Sequence, residues 1–330
     1  MRPLTRRLIT IPGYLALFAA ALASLPVLLP LAALLDLARG TPLALARALL
    51  FFTWYLGCEV IGIAACGVLW LAGLHPGVSH ERYLQWHFRL KCWWARQLVR
   101  GARGCFGLRF EIEGLEDLGE GPFLLFMRHA STADAILTSA ILSDGRGIDF
   151  RHVIKRELLW DPCLDLCGNR LPNCFVDRDS PDSAREIAAV QALARGLGPR
   201  DGVMIYPEGT RFTEAKRARI LEKLAEKGDS ALLARARALR HVLPPRLGGP
   251  IGLLQAAPAT DALFCAHVGF DGIRSFNEFL RGGLVNRTVR MIYWRVPGES
   301  IPGDRDAQID WLFEHWRRVD DWVGAHRKPE

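Results

Sequence analysis

The stretch FLLFMRHASTADAIL, residues 123–137, decides the fold. FLLFM is a short continuous apolar run, which is typical of a strand buried on both faces. STADAIL begins with two residues that often cap helices, Ser131 and Thr132, and it places Asp134 in the first turn of a helix. His129 therefore lies on the turn from a buried strand into a helix. Open α/β sheets bind ligands at this position, outside the carboxyl ends of their strands.

The sequence after Gly104 continues this alternation of short apolar runs and helical segments, which predicts an α/β domain built on one sheet. We predict strands over 107–113, 122–127, 150–154, 173–176, 202–206, 262–269 and 286–296. We predict helices over 134–142, 181–195, 214–227, 249–256 and 305–325, and the last one has an apolar face that packs on the domain. The Gly-, Pro- and Arg-rich stretch 228–250 is expected to form a loop near the site.

Two long apolar segments precede this domain. Residues 8–35 contain no charged residue, and residues 48–74 contain only one, Glu59. A helix that spans a membrane needs about 20 apolar residues, whereas the apolar core of a signal peptide has about 7–15. We therefore expect residues 1–76 to form a membrane anchor of two hydrophobic helices.

The flanking charges predict an orientation for these helices. Arginines precede the first segment, and a larger group of basic residues follows the second. The positive-inside rule then places both ends, and the domain, in the cytoplasm, with the link 36–47 outside. Glu59 argues against two simple spans, because a charge at the centre of a spanning helix costs about 2.5–3.5 kcal/mol. A re-entrant hairpin is the alternative. The Arg-rich, Lys-poor composition suggests a bacterial protein, and we expect it in the inner membrane.

Residues 77–104 predict a third helix with a different character. The stretch SHERYLQWHFRLKCWWARQLVRG, residues 79–101, places a Trp-rich face beside an arginine-rich one. This is typical of a helix that lies in the membrane interface, and the alternative is an amphipathic helix packed on its own domain. The formal net charge is +7. Next to hydrophobic helices, such a charge favours anionic lipid over nucleic acid as the partner.

The chain has eight cysteines, and none is spaced with histidines as in a zinc finger. In a cytoplasmic domain we expect reduced thiols. We assign no metal ligands.

The five-residue spacing of His129 and Asp134 carries a geometric condition. On a continuous helix the two side chains would point about 140° apart, so they can meet only if the turn is not helical. If they meet, the carboxylate holds one tautomer of the imidazole and stabilises its protonated form, and His129 becomes a general base. A pair at this spacing also occurs often by chance.

A second strand end carries polar residues of another kind. The stretch VMIYPEGTRFTEAK, residues 203–216, is an apolar run followed by Glu208 and a turn. Gly209 permits the tight turn. Thr210 and Arg211 offer a hydroxyl and a forked cation, which suit a phosphate group. The alternative is a capped helix entry with a surface arginine.

A third stretch, NCFVDRDS, residues 173–180, places Phe175 and Arg178 after a short strand. Arg178 is a second candidate for a phosphate contact. The alternative is a salt bridge with one of the aspartates around it.

In this order, the three stretches resemble the 1-acylglycerol-3-phosphate acyltransferase family of membrane-bound lysophospholipid acyltransferases, over about residues 105–325. The family's blocks H-x-x-x-x-D, F-x-x-R and E-G-T-R match at His129 and Asp134, Phe175 and Arg178, and Glu208 to Arg211. The segments 208–216, 241–249 and 311–322 are similar to the branch that includes lysocardiolipin and lysophosphatidylinositol acyltransferases. In two places the chain departs from the family. Arg128 stands where many members have asparagine, and only residues 243–246 align with the fourth block.

The resemblance implies a single-sheet, glycerol-3-phosphate acyltransferase-like domain over 105–330 and a role for each matching residue. His129 would take the proton from the hydroxyl of a lysophospholipid, with 1-acylglycerol-3-phosphate as acceptor and phosphatidic acid as product. Asp134 would orient His129. The acceptor would be held by Arg178, Arg211 with Gly209 and Thr210, and Lys155 or Arg156, while Glu208 would orient Arg211 or the acceptor.

The resemblance also implies acyl-CoA or acyl carrier protein as the acyl donor, and it implies neither a cofactor nor a covalent intermediate. One alternative is the same chemistry on glycerol 3-phosphate, lysocardiolipin or a lyso-aminolipid. Two others are an inactive membrane scaffold and a nucleic-acid binder, and the latter would leave the hydrophobic helices unexplained.

Overall fold

The computed structural model describes residues 3–131, 133–177, 183–270 and 276–327. The helices are α1 Pro3–Ala38, α2 Ala44–Ala72, α3 His80–Phe106, α4 Asp134–Thr138, α5 Asp144–Arg146, α6 Ser183–Ala192, α7 Glu214–Glu226, α8 Ser230–Ala238, α9 Gly248–Ala256, α10 Phe276–Leu280 and α11 Arg305–His326. The strands are β1 Arg109–Glu113, β2 Phe123–Met127, β3 Asp149–Lys155, β4 Cys174–Val176, β5 Asp201–Ile205, β6 Asp261–Val268 and β7 Thr288–Val296. A 3-10 turn lies at Arg156–Trp160, and π-helical turns lie at Ser139–Ser143 and Leu164–Gly168.

Within the described residues, the seven strands form one mixed sheet in the order β1-β7-β6-β2-β5-β3-β4. β7 runs antiparallel to β6, and the other neighbouring pairs are parallel. β2 lies at the centre, and all five of its side chains are fully buried. Leu124 and Phe126 pack in the core with α9 and α11, whereas Phe123 and Leu125 pack in the core with α3 and α4. The predicted single-sheet α/β fold is confirmed, and each predicted strand end lies within two residues of the observed one.

The stretch 228–250 holds a loop, 239–247, as predicted, and it also contains α8, which we did not predict. Asp229 caps this helix by accepting a hydrogen bond from the N–H of Leu232 at 2.9 Å. Ala236, near the end of α8, is fully buried. The Gly and Pro residues that suggested a loop lie outside α8, at Gly228 and after residue 243.

α1 and α2 form a helical hairpin, and both are long and apolar enough to cross a membrane. The connection between them is only five residues long, 39–43. Asp36 closes it, because its carboxylate accepts the N–H groups of Leu45 and Ala46 in the first turn of α2, at 3.1 and 2.9 Å. A carboxylate at this position satisfies N–H groups that have no partner within the helix.

The closed end of the hairpin contacts the α/β domain. Arg47 donates a hydrogen bond from Nη1 to the carbonyl oxygen of Cys105, at 2.7 Å. Pro42 lies so close to Gly282 that a Cβ atom on that glycine would be 2.9 Å from the Pro42 ring. The connection therefore lies beside the end of α3 and the segment that follows α10.

The open end of the hairpin also contacts the domain. Arg6 and Arg7 form ion pairs with the buried carboxylate of Asp165, at 2.6 and 3.1 Å. Because both ends touch the same domain, the link cannot lie across a membrane from it. The predicted orientation, with the link outside, is therefore wrong. The alternative, a re-entrant hairpin, fits these contacts.

Contacts with the domain also account for the charged residue Glu59 within α2. It is fully buried in protein, where its Oε1 accepts from Trp94 Nε1 at 2.7 Å and its Oε2 accepts from the N–H of Cys163 at 3.1 Å. Beside it, the hydroxyl of Tyr55 donates to Asp161 at 2.8 Å. The charged residue of α2 therefore faces the domain and serves as a docking contact.

The aromatic face of α3 does not lie free for a membrane interface, which favours the alternative of a packed amphipathic helix. Trp94 donates a hydrogen bond to Glu59, and the side chain of Leu98 is only 3% exposed. α3 lies between α2 and the segment α4–α5, which it contacts along its length. Arg82, Arg89 and Arg100 are exposed on its outer side.

Candidate active site

His129 lies where sequence reasoning placed it, on the turn after the central strand β2. Its main-chain N–H donates to Glu208 at 2.8 Å, and its carbonyl oxygen accepts from the N–H of Phe212 at 3.3 Å. The side chain is 14% exposed. One face of the imidazole stacks on Tyr206, with ring centroids 4.2 Å apart and planes 19° apart. The turn is thus fixed from the neighbouring strand end, and only one edge of the ring remains accessible.

Asp134 meets His129 across a turn that is not helical, as the spacing required. Its Oδ2 accepts from Nδ1 of His129 at 3.1 Å and from the N–H groups of Ala130 and Ser131 at 2.7 and 2.8 Å. An ionised carboxylate can only accept hydrogen bonds, so Nδ1 carries the proton and Nε2 keeps its lone pair. The pair has the geometry of a general base and the residue that orients it.

Asp134 is ionised at neutral pH for a clear physical reason. Burial alone would raise its pKa, but the charge of His267 and the hydrogen bonds from His129 and Ser131 outweigh burial, and the pKa lies below its ordinary value. The carboxylate is fully buried, so water does not compete for these contacts.

Glu208 has a different position from the one expected. It is fully buried, and its two oxygens accept main-chain N–H groups, from His129 at 2.8 Å and from Leu243 at 3.0 Å. A buried carboxylate held in this way cannot contact an acceptor in the cavity, and its hydrogen bonds go to these two N–H groups and not to Arg211. Glu208 therefore positions His129. This arrangement differs from the expectation that it orients Arg211 or binds the acceptor.

The pKa of Glu208 is raised to about 7, chiefly by burial and also by the charge of Asp134. The charge of Arg128 and the two N–H donors oppose this rise. Glu208 thus changes its ionisation near neutral pH.

The turn after Glu208 depends on its glycine. Gly209 has φ +67°, and a Cβ atom there would lie 2.7 Å from Cδ of Arg246. Thr210 accepts a hydrogen bond from Nζ of Lys216 at 3.0 Å, and the same ammonium group donates to the carbonyl oxygen of Arg211 at 3.0 Å. The side chain of Arg211 is exposed and pairs with no residue that the structure describes.

The other cations that were predicted to bind the phosphate lie beside carboxylates or outside the described residues. Lys155, at the end of β3, forms a half-exposed ion pair with Glu157 at 3.0 Å. Arg156 lies 3.6 Å from Asp177. Phe175 lies on β4, next to β3, whereas Arg178 falls outside the described residues.

Three residues of the site were missed by sequence reasoning: Tyr206, Lys216 and His267. Tyr206 and Lys216 flank the EGTR turn, so an aromatic and a cation within that stretch were the available signal. His267, on β6, lies with its Nε2 3.0 Å from the carbonyl oxygen of Arg128 and 3.7 Å from Oδ1 of Asp134. No local pattern marks His267, because it reaches the site only through the sheet, whereas Leu243 lies in the stretch 243–246 that aligns with the fourth block.

Arg128, which departs from the family pattern, is fully buried and turned away from the cavity. Its Nη1 donates to the carbonyl oxygen of His267 at 2.5 Å, and its main-chain N–H donates to Cys265 at 3.0 Å. It therefore ties the end of β2 to β6.

A large cavity opens beside the pair, between α2, α3 and the catalytic domain. Its volume is about 720 Å³, and its walls are mostly apolar. Ala133 and Arg211 lie at the end next to the pair, while Trp94, Leu98 and Cys163 line its interior. In the described part of the chain, no cluster of three or more His, Cys, Asp or Glu side chains is arranged to hold a metal ion.

The histidine–aspartate pair and the EGTR turn thus come together at the ends of neighbouring parallel strands. Residues 109–247 match the acyltransferase family. A 1-acyl-sn-glycerol-3-phosphate acyltransferase of Pseudomonas aeruginosa is 31% identical over 122 residues, which are 36% of this chain and 44% of that protein. The match therefore spans less than half the length of that curated relative.

A solved structure has a similar fold. It is the crystal structure of the 1-acyl-sn-glycerophosphate (LPA) acyltransferase PlsC from Thermotoga maritima, with a TM-score of 0.56 and 14% sequence identity. The similarity covers 86% of this chain and 98% of that one, so it extends beyond the acyltransferase segment.

Proposed function

We propose that the chain is an acyltransferase that moves a fatty acyl group from a thioester donor to the free hydroxyl of a lysophospholipid. The first acceptor we propose is 1-acylglycerol-3-phosphate, which would give phosphatidic acid. The observation that carries the proposal is the His129–Asp134 pair beside Ala133 and Arg211, which line an apolar cavity of about 720 Å³. The name of the Pseudomonas relative, which matches over this segment, supports the choice of acceptor.

The transfer needs one general base and no covalent intermediate. Nε2 of His129 takes the hydroxyl proton while the acceptor oxygen attacks the thioester carbonyl. The carbon–sulfur bond then breaks, and the leaving thiolate takes the proton from the imidazolium. Asp134 stabilises the imidazolium through its contact with Nδ1. A base positioned in this way typically accelerates a reaction by about 10²–10⁴-fold.

Arg211 is our first choice for the phosphate of the acceptor. It is exposed at the end of the cavity nearest the pair, and its guanidinium pairs with no residue that the structure describes. A guanidinium group binds phosphate through two parallel hydrogen bonds. Lys155 could join it only by leaving Glu157. Arg178 remains a candidate from the sequence motif.

The cavity suits a long apolar chain. Its volume lies within the 300–1,000 Å³ that is usual for ligand pockets, and apolar side chains form most of its wall. We propose that it holds a fatty acyl chain next to the reacting atoms, with acyl-CoA or acyl carrier protein as the donor.

We further propose that the α1–α2 hairpin lies in one leaflet, with the catalytic domain on the cytoplasmic face of a bacterial inner membrane. Most of the large apolar side chains exposed in the described part of the chain belong to α1 and α2. The contacts of the hairpin with Asp165 and Cys105 support this placement.

The test is transfer by the purified full chain in vesicles that contain phosphatidylglycerol. Labelled acyl-CoA and labelled acyl carrier protein are supplied in separate reactions. The acceptors are 1-acylglycerol-3-phosphate, lysocardiolipin, lysophosphatidylinositol and glycerol 3-phosphate, and the products are separated by thin-layer chromatography. We expect phosphatidic acid to form fastest. A faster reaction with lysocardiolipin or lysophosphatidylinositol would instead place the chain in the branch suggested by residues 208–216.

The control is a second histidine variant. His129→Ala should remove transfer, whereas His80→Ala, at an exposed histidine on α3, should not. No transfer by the wild type to any of the four acceptors would refute the proposal and favour an inactive scaffold.

A further inference from the structure

The first part of the loop 239–247, between α8 and α9, is held by a carboxylate on the last helix. Asp320, on α11, accepts N–H groups from three successive residues with its Oδ1: from Arg240 at 3.0 Å, His241 at 2.5 Å and Val242 at 2.9 Å. Its Oδ2 accepts from Arg240 as well, at 3.0 Å. Successive N–H groups that converge on one anion fix the conformation of the backbone that carries them.

A second residue of α11 holds the next residue of this loop. Trp316 is fully buried, and its Nε1 donates to the carbonyl oxygen of Leu243 at 3.0 Å. The N–H of Leu243 donates to Oε2 of Glu208 at 3.0 Å, and Oε1 of Glu208 accepts the N–H of His129 at 2.8 Å. A continuous path of buried and partly buried hydrogen bonds thus runs from α11 to the main chain of the proposed general base.

The packing of α11 on the core does not require these polar groups. α11 already packs on the core through apolar side chains, which include Leu312, Phe313, Val319 and Val323. Asp320 is only 3% exposed, and a buried carboxylate is costly unless hydrogen bonds compensate for the lost water. Its hydrogen bonds all serve the loop. α11 also lies outside residues 109–247, the segment that matches the acyltransferase family.

From this path we infer that Asp320 and Trp316 are positioning residues for the reaction. They hold the loop 239–247, the loop holds Glu208, and Glu208 holds the turn that carries His129. The inference rests on the proposed acyl transfer for its kinetic consequence, but the coupling between α11 and the turn is a property of the folded chain and can be measured without a substrate.

The first experiment compares Asp320→Asn with Asp321→Asn, its matched control at the next, exposed position. The amide keeps the shape of the side chain but turns a donor toward the N–H groups of the loop. We expect kcat to fall about 10-fold, which corresponds to about 1.4 kcal/mol, with KM for donor and acceptor within about twofold of wild type. Asp321→Asn should match wild type. A wild-type kcat in Asp320→Asn would overturn the inference and leave the proposed function intact.

A double variant separates positioning from general stability. If Asp320 acts through Glu208, then Glu208→Gln with Asp320→Asn should be no more than about threefold slower than Glu208→Gln alone, because coupled residues are not additive. A further 10-fold loss in the double variant would mean that the two residues act independently, and would overturn the path.

Hydrogen exchange tests the path without any substrate. In Asp320→Asn, peptides that cover 239–247 and 127–131 should exchange faster than in wild type, whereas in Asp321→Asn they should not. Faster exchange in 239–247 alone would refute the coupling to His129. Should Asp320→Asn fail to fold, Trp316→Phe keeps an aromatic ring in the core, removes the donor to Leu243 together with part of the buried ring volume, and is expected to show the same exchange pattern. Failure of the wild type to transfer an acyl group would refute the proposed function, while these exchange results would still decide the coupling.

Discussion

Glu208→Gln should change the activity of this chain and its stability in different ways. The two oxygens of Glu208 accept the N–H groups of His129 and Leu243, at 2.8 and 3.0 Å. Glutamine has one acceptor oxygen and an amide group that donates, so one N–H group loses its partner. A hydrogen bond to a charged group is worth about 1.5–3 kcal/mol. If the turn of His129 is released by that amount, kcat should fall about 10- to 150-fold.

The same change should cost less stability at high pH than at low pH. The pKa of Glu208 is raised to about 7, mainly by burial, against an ordinary value of 4.5. Because the folded-state pKa is the higher one, this group contributes stability that is complete below about pH 4.5 and is lost as the pH rises through 7. The difference corresponds to about 3 kcal/mol. Glutamine cannot ionise, so the variant lacks this loss, and its stability relative to wild type should rise by up to about that amount between pH 4.5 and pH 8.

The measurement is a pair of melting curves at pH 5 and pH 8, together with acyl transfer at pH 8. Glu222→Gln, at an exposed position on α7, is the control and should match wild type in both assays. A Glu208→Gln variant that transfers at the wild-type rate, or that melts further below wild type at pH 8 than at pH 5, would refute this account of Glu208.

The remaining predictions concern the base, the phosphate contact and the hairpin. His129→Ala should lower kcat by about 10²–10⁴-fold in a folded protein, and a loss within threefold would remove His129 from the mechanism. Arg211→Ala should lower kcat/KM for the acceptor about 10- to 150-fold and affect the donor less, whereas Arg219→Ala, at an exposed site on α7, should change neither. Arg211→Lys should also weaken acceptor binding, because lysine lacks the forked geometry. Asp165→Asn should release Arg6 and Arg7, so that hydrogen exchange rises at the start of α1 and the melting temperature falls, since losing one partner of a buried ion pair costs about 3–5 kcal/mol. Unchanged exchange there would show that the hairpin is held elsewhere.

Local patterns were sufficient to predict the sheet. A central strand such as β2 is covered on both faces, so all of its side chains are apolar, and FLLFM shows this continuous apolar pattern. The same argument supplied the condition for the His129–Asp134 contact, a non-helical turn between strand and helix, while the contact itself was implied only by the family resemblance. α8 was missed because the Gly and Pro residues on either side of it dominated the composition of 228–250.

Contacts between distant parts of the chain could not be predicted in this way. Glu59 looked like a charge in a membrane because its partners, Trp94 and Cys163, are 35 and 104 residues away. Glu208 looked like a substrate contact because it stands in a motif with Arg211, yet its second partner is the N–H of Leu243. A carboxylate in a sequence motif does not reveal whether it faces a ligand or the backbone, since both supply donors.

The hairpin that touches the catalytic domain at both ends also bears on how a lipid would reach His129. Moving a fatty chain from the bilayer into water costs about 0.8 kcal/mol for each methylene, so a chain of about 15 methylenes would meet a barrier of about 12 kcal/mol. α2 lines the cavity with Tyr55, Gly62 and Cys66, while the outward side chains of the hairpin are apolar. A fatty chain that passes along α2 from the leaflet into the cavity would not be exposed to water. The docked hairpin would then act as a dry passage, and its rigid attachment would keep the entrance at a constant depth in the leaflet.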